Sequence, residues 1–359
     1  MKNVTHLITT LDRGGAENQL LILVRQQIAM GKKIEVVPLK GQANLIEDFM
    51  HYGANVNLDL LNKSFIKQLF IVKKLLSRPK NIYHAHLPQA ELLLAFSGAK
   101  QYFVSRHFGG RFYPRVFGFL STFLSNLATK NAYKVIAISE FVKNYLVNSG
   151  EVKDHRKIKV IHYGFDKEHF VKMKSNTTKE DINSEFRIGT LARLSVEKDL
   201  KTLILGFHKY IQNESIKATL EIYGEGNDRS ELQNLINELK LESRIFLKGK
   251  TSNAADAINS LDLFVLTSKF EGFGMVLLEA MSLNKIILCS DIPTTQEVLG
   301  LNGAGLYFKV GDSSDLALKI SMAKEINPKK IKKAQVDRLA KFSVSLMESK
   351  IDHLYGELH

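Results

Sequence analysis

"LDLFVLTSKFEGFGMVLLEAMSLNKIILCS", residues 261–290, contains a strand, a turn, a helix and a second strand in thirty positions. The runs LDLFVLTS and KIILCS are short, apolar and rich in residues that favour strands. Between them Gly272 and Gly274 punctuate the chain, and the apolar or helix-forming run Met275–Met281 predicts a helix that begins near Phe273 or Gly274. A strand returning through a helix to another strand is the unit of a parallel sheet covered on both faces.

The same stretch carries two carboxylates eight positions apart, Glu271 and Glu279. Glu271 falls just before the helix and Glu279 about one and a half turns inside it. Helical side chains lean back toward the N-terminus, so both carboxylates can line one pocket. The N–H groups of the first turn favour an anion there, which two carboxylates would repel. A ligand with a phosphate for the N–H groups and neutral hydroxyls for the glutamates reconciles the two demands, and a nucleotide sugar has both. The alternative is a surface Glu271 beside an ordinary helix with a solvated Glu279.

The strand pattern occurs twice along the chain. THLITTL, KIEVVPL, NIYHAH, YFVSRH, KVIAIS and KIKVIH form the first set; RIGTLAR, TLEIYG, RIFLKG, LDLFVLTS, KIILCS and GLYF form the second. Strands alternating with helical sequence argue for an α/β protein with two doubly wound domains, each with its site at the C-terminal strand edges. The polar stretch KMKSNTTKEDINSE (172–185) has neither period and is read as the linker. The expected division is 1–171, linker 172–185 and 186–342, with a C-terminal helix over about 343–359 packing back on the first domain. A length of 359 residues agrees with two cores.

Residues at the predicted strand ends are candidates for function: Gly14 and Gly15 before a helix, His84, His86 and His107, and Arg193 with Lys198. His84 and His86 are read as hydrogen-bonded structural residues. The single cysteine, Cys289, lies in a predicted strand and excludes an internal disulfide, which suits a reducing compartment. Asp12 and Arg13 interrupt the N-terminus before any signal-like apolar core, and no run reaches the roughly 18 apolar residues of a membrane span. Cytoplasmic residence is the expectation. The net charge of +13 resides in the first half, where residues 1–175 hold 26 Lys and Arg against 12 Asp and Glu. That asymmetry leaves open an anionic membrane, a nucleic acid or simple compositional drift.

Taken in order, seven segments resemble the retaining glycosyltransferases of family 4 (glycosyltransferase group 1), of the bacterial surface-polysaccharide type: GGAE (14–17), SRHF (105–108), VIAISEFVK (135–143), KIKVIHYGFDKEHF (157–170), LARLSVEKD (191–199), IYGEGNDRSEL (222–232) and TSKFEGFGMVLLEAMSL (267–283). The resemblance runs to about residue 320. It implies the GT-B architecture, two doubly wound Rossmann-like domains facing each other across a cleft, and transfer from a nucleotide-diphosphate sugar without a cofactor or metal. A UDP-sugar is expected ahead of a GDP-sugar.

By the same resemblance, Arg193 and Lys198 would neutralise the donor diphosphate, whose charge grows as it leaves. Glu279 would accept hydrogen bonds from the ribose hydroxyls. Glu271, backed by Gly272, Phe273, Gly274 and Met275, would hold hydroxyls of the donor sugar. Gly14 and Gly15 would let the first loop approach donor and acceptor, and His107 would face the reacting sugar. The departing phosphate oxygen would itself take the acceptor proton, so no protein nucleophile is required. Three places depart from the family pattern. PTTQE (293–297) replaces a Gly-Gly turn before Pro-Glu, HYG (162–164) replaces Pro-Asn-Gly, and the EKD segment lacks a glycine after its lysine.

The acceptor side is read from GGRFYPRVFGFLSTFLSNLATKNAYK (109–134), which carries Arg111, Arg115, Lys130 and Lys134 among aromatic and aliphatic residues and no acidic residue. A basic amphipathic segment suits an anionic bilayer. The alternative is a core helix. With the basic first half, the expectation is a peripheral protein at the inner face of the cytoplasmic membrane with a lipid-linked glycan or lipopolysaccharide acceptor. A GT-B enzyme with a soluble acceptor and a nucleic-acid-binding protein are the competing readings. The second lacks any aromatic-basic stacking platform, and no nucleic-acid partner is expected.

Overall fold

The computed structural model describes residues 3–78, 81–114, 116–175, 185–212, 216–301 and 303–358. Arg115 and residues 176–184 of the expected linker lie outside these. The chain divides into two compact units, Met1–Gly164 with Phe342–His359, and Phe165–Lys341.

The first unit runs β1 (Asn3–Thr10), α1 (Gly15–Ala29), β2 (Lys33–Lys40), α2 (Ile46–His51), β3 (Asn55–Val56), α3 (Phe65–Leu76), β4 (Asn81–His86), α4 (Pro88–Phe96), β5 (Tyr102–Arg106), α5 (Gly118–Lys130), β6 (Ala132–Ala137), α6 (Glu140–Asn148) and β7 (Ile158–Val160). The second runs α7 (Lys167–Lys172), β8 (Phe186–Leu191), α8 (Leu200–Tyr210), β9 (Ala218–Tyr223), α9 (Arg229–Glu238), β10 (Ile245–Gly249), α10 (Ala254–Ser260), β11 (Leu263–Leu266), α11 (Met275–Ser282), β12 (Ile286–Ser290), α12 (Pro293–Leu299), β13 (Leu306–Phe308), α13 (Ser313–Lys324) and α14 (Pro328–Ala340). The chain then returns to the first unit as α15 (Val344–Gly356).

Both sheets are parallel, with strand orders β3-β2-β1-β4-β5-β6-β7 and β10-β9-β8-β11-β12-β13. Each order reverses beside its first strand, so each unit has a crevice at the C-terminal ends of β1 and β4, or of β8 and β11. Central strands are buried on both faces, as the six consecutive buried residues of β2 illustrate. In the first unit Ile8, Val36, Phe103 and Ile136 meet Leu23 of α1 and Met347, Ile351 and Tyr355 of α15. In the second, Leu203 and Phe207 of α8 and Leu316 of α13 cover Ile188, Leu220 and Val265. Cys289 is buried in β12 with its thiol paired to no other cysteine.

The first unit ends at Gly164, not at residue 171, because α7 packs on α11 and the carbonyl of Met173 accepts a hydrogen bond from Asn253 Nδ2 at 2.8 Å. Met347 Sδ accepts from the Gly164 amide at 3.0 Å, and Lys32 pairs with Glu348 and Asp352, which fixes α15 to the first unit. The 109–134 segment differs from its reading in a physically instructive way. Helix α5 buries Ser121, Ser125, Ala128 and Thr129 and leaves Phe119 and Phe123 outside, 78% and 60% exposed. The small polar face is drawn inward by Arg106 at the end of β5, which donates to Ser125 Oγ at 2.8 Å and pairs with Glu91 and Glu151. Lys134 is not on this helix. It lies in β6, largely covered, over the Tyr133 ring and 3.6 Å from Glu357, so it is withdrawn from the exposed basic set.

Candidate active site

The crevice of the second unit brings Lys198 and Glu271 together, with Arg193 on the loop after β8 and Glu279 on the helix after β11. After β8 the chain forms a tight loop through exposed Arg193 to a single 3₁₀ turn, Val196–Lys198, and then enters α8 through Asp199 at φ +47°. Asp199 is held in that left-handed conformation by Thr202 Oγ1, 2.8 Å away, and pairs with Lys269 at 3.5 Å. The Lys198 carbonyl accepts from Thr267 Oγ1 at 2.8 Å and the Glu197 carbonyl from the Lys269 amide at 2.9 Å. The loops after β8 and β11 are therefore one rigid assembly, and Lys198 Nζ reaches Glu271 as an ion pair.

Glu271 is buried, and its Oε1 takes both the lysine and a hydroxyl. Ser268 Oγ donates to its Oε1 at 2.7 Å, and its carbonyl accepts from Thr294 Oγ1 at 2.9 Å. Thr294 belongs to the PTTQE stretch that departs from the family pattern, so the substitution supplies a hydroxyl that anchors Glu271. Gly272 and buried Phe273 lead to Gly274, which caps α11 at φ +80°, a conformation that favours glycine, and Met275 is the first helical residue. The helix begins one residue later than the sequence suggests. Glu279 lies on its second turn, and its carboxyl makes no hydrogen bond or ion pair with another described residue. Burial alone pushes its pKa up to about 7. One carboxylate is thus neutralised by a lysine and the other is desolvated without a partner.

In the first unit Gly14 caps α1 in an extended conformation and Gly15 opens the helix. A Cβ at Gly14 would lie 2.4 Å from Glu17 Oε2, whereas nothing lies within 4 Å of one at Gly15. Glu17 is buried and accepts from Thr10 Oγ1 at 2.6 Å, so a side chain at Gly14 would have to displace that carboxylate. His107 follows β5 and has both ring nitrogens engaged, with His86 at 3.1 Å and Tyr163 at 2.6 Å. His84 and His86 are buried and hydrogen-bonded; His84 bridges the hydroxyls of Tyr355 at 2.6 Å and Ser105 at 2.8 Å. Desolvation lowers the pKa of His6 and His107 to about 4 and those of His84 and His86 well below the ordinary value. His6, His84 and His86 can bring ligand atoms within 4.8 Å of one another, yet every nitrogen of the three rings already has a protein partner. Sequence reading missed Gln27, His6 and Tyr163; His6 becomes visible only when β1 and β4 pair, which sets it beside His84.

This two-sheet architecture is that of solved glycosyltransferases with the GT-B fold. HepE of Anabaena, solved in complex with UDP, superposes over 99% of this chain and 100% of its own with a TM-score of 0.84 at 20% identity. Residues 13–169 match the model of Glycosyltransferase Family 4 and residues 171–337 that of Glycosyl transferases group 1. The chain belongs to this group 1, family 4 set of glycosyltransferases. Among curated relatives, N-acetyl-alpha-D-glucosaminyl L-malate synthase of Bacillus anthracis is 23% identical over 60% of this chain. The O-antigen biosynthesis glycosyltransferase WclY of Escherichia coli is 24% identical over 63% of it. The matches span 58% and 62% of those relatives' own lengths.

Proposed function

We propose that the protein is a retaining glycosyltransferase that moves a sugar from a nucleotide-diphosphate sugar to a lipid-linked or lipopolysaccharide acceptor at the cytoplasmic face of a membrane. The observation that carries the donor half is the pair of unlike carboxyls around the α11 N-terminus, one salt-bridged to Lys198 and one desolvated and unpartnered. A ribose offers Glu279 the hydroxyl donors it lacks. The diphosphate takes Lys198, Arg193 and the α11 N-terminus, so positive charge is present without a metal, and Glu271 turns to the hydroxyls of the sugar. The departing phosphate oxygen accepts the proton of the incoming hydroxyl on the same face, and the configuration is retained. A UDP-sugar is preferred to a GDP-sugar in this reading, in keeping with the UDP present in the HepE structure.

The acceptor half rests on the surface of the first unit. Helices α3, α4 and α5 pack in a row, and they expose Ile66, Phe70, Phe96, Phe119 and Phe123. Exposed Lys67, Lys73, Lys74 and Lys130 accompany them, and neither α3 nor α5 contains an acidic residue. Apolar side chains that insert between basic ones that meet headgroups describe a peripheral membrane face. No helix among the described residues is long and apolar enough to cross a membrane. The test is a panel of UDP-, GDP- and ADP-sugars scored for turnover with wild-type protein and Glu279→Ala. Turnover of one donor class that the variant loses supports the reading, and turnover unaffected by the variant removes it.

A further inference from the structure

Five side chains from distant parts of the sequence form one hydrogen-bonded line inside the first unit. Gln27 Oε1 faces His6 Nε2 at 2.9 Å, His6 Nδ1 faces His86 Nε2 at 3.0 Å, and His86 Nδ1 faces His107 Nε2 at 3.1 Å. His107 Nδ1 faces the Tyr163 hydroxyl at 2.6 Å. Gln27 comes from α1, His6 from β1, His86 from β4, and His107 and Tyr163 from the chain after β5 and β7.

A neutral imidazole has one N–H and one lone pair, so along such a line the tautomer of each ring dictates that of the next. The Gln27 oxygen can only accept. His6 therefore donates from Nε2 and accepts at Nδ1, and His86 does the same toward its neighbours. His107 donates from Nε2 to His86 and accepts the Tyr163 O–H at Nδ1. Protonating any inner ring would bring two N–H groups face to face. The line ends inward on a carboxamide, which takes up no proton at neutral pH, so a proton entering at His107 has no exit. A relay is ruled out by that terminus, and what remains is the ability to hold.

We propose that Gln27, His6, His86 and Tyr163 are positioning residues that lock His107 as a single neutral Nε2–H tautomer with both nitrogens committed to the protein. The inference takes up the expectation, implied by the family resemblance, that His107 serves the sugar, and concerns the state of its ring. It adds that His107 is an uncharged ring held in fixed orientation, neither an acid nor a base. Proton transfer is then left to the donor phosphate oxygen, in agreement with same-face chemistry.

The experiment is nitrogen-15 NMR of histidine-labelled protein at neutral pH, with no substrate required. Wild-type His107 should show one tautomer, protonated at Nε2. Gln27→Met removes the acceptor at the inner end while keeping side-chain length, and His107, two rings away, should then populate both tautomers. A purely packing role for Gln27 would leave the His107 signal unchanged. Tyr163→Phe removes only the donor at Nδ1; loss of one buried hydrogen bond should lower kcat roughly tenfold with the donor KM unchanged. An Nδ1–H His107 in the wild type, or a single unaltered tautomer in Gln27→Met, would overturn the proposal. If Gln27→Met does not fold, the wild-type spectrum and Tyr163→Phe decide. Should the wild type turn over no sugar nucleotide, the glycosyltransferase reading fails while the spectra still judge the lock.

Discussion

Lys198 and Glu271 form an ion pair across two loops of the second unit, after β8 and after β11. The ammonium proposed to meet the donor diphosphate is therefore neutralised before any donor arrives. Binding must exchange partners, with the phosphate taking Lys198 and the released carboxylate taking sugar hydroxyls. Because negative charge on the leaving diphosphate increases in the transition state, Lys198→Ala should lower turnover by roughly 10²-fold or more, and Arg193→Ala similarly. Steady-state kinetics on folded variants checks this, and a variant with near-native turnover rejects the assignment.

Glu279 and Glu271 should separate by ligand. Glu279→Ala is expected to weaken UDP and a UDP-sugar alike, because the ribose is common to both. Glu271→Ala should weaken the intact sugar nucleotide more than UDP. Calorimetry with both ligands measures the difference; equal losses on UDP for the two variants would remove the sugar role from Glu271.

The Glu279 carboxyl, pushed up to about 7 by desolvation, gives the binding reaction a pH dependence. An ionised carboxylate accepts ribose hydroxyls better than a protonated one, so binding releases a proton when the free protein holds it. UDP affinity should rise as pH increases through about 7 and level off above. Glu279→Gln should flatten that rise, and titrations in buffers of different ionisation enthalpy should detect the released proton.

The buried histidine line predicts acid lability of the first unit. Folded His6 and His107 stay neutral to about pH 4, whereas in the unfolded chain they take up protons below about 6.5. Folded pKa values lie below unfolded ones, so the unfolded state binds more protons between these limits. The stability is full above about pH 6.5 and is lost as pH falls toward 4, at up to about 1.4 kcal/mol per pH unit for each histidine. Glu91 and Glu279, both raised to about 7 by burial, act oppositely: their contribution is present below about pH 4.5 and lost as pH rises through 7. His84 and His86 are shifted in the same direction as His6 and His107, so the histidines outweigh the carboxyls. The melting temperature should fall between pH 6.5 and 4.5, and a flat or rising profile would contradict this balance.

The fold was legible because crossovers such as those after β1 and β11 keep an order of strand, glycine-punctuated loop and helix. What was not legible had a physical cause in each case. β3 is only Asn55 and Val56, too short to show a period. The outward turn of Phe119 and Phe123 depends on Arg106, which claims Ser125 from another element and so reverses the face that hydrophobicity would bury. Lys134 counts in the basic segment although it opens the predicted strand KVIAIS, and its withdrawal shows only when Glu357, just past the C-terminal helix, pairs with it in β6. The line that holds His107 runs through residues 86 and 163 beside it and 6 and 27 beyond, which only sheet pairing and helix packing assemble. Glu271 and Glu279, by contrast, are close in the sequence, and there local helix geometry was enough to set one just before α11 and the other on its second turn.

The membrane face makes a separate prediction. Each Lys or Arg near an anionic surface contributes on the order of 1 kcal/mol, so sedimentation with anionic vesicles should weaken steeply with salt and vanish on neutral ones. Replacing Lys67, Lys73, Lys74 and Lys130 by glutamine, or Phe119 and Phe123 by serine, should detach the protein while sparing transfer to a short lipid-free acceptor. Wild-type protein that fails to sediment with anionic vesicles at low salt would point instead to a soluble acceptor.

The most direct test of the account is to follow a UDP-sugar with an α-anomeric bond by proton NMR and read the anomeric configuration of the first product formed. The account predicts turnover that yields the α-anomer and that falls by about 10²-fold or more in Lys198→Ala. A β-anomeric first product would contradict the retaining mechanism, and absence of turnover across UDP-, GDP- and ADP-sugars would contradict the assignment of this site to a nucleotide-sugar donor.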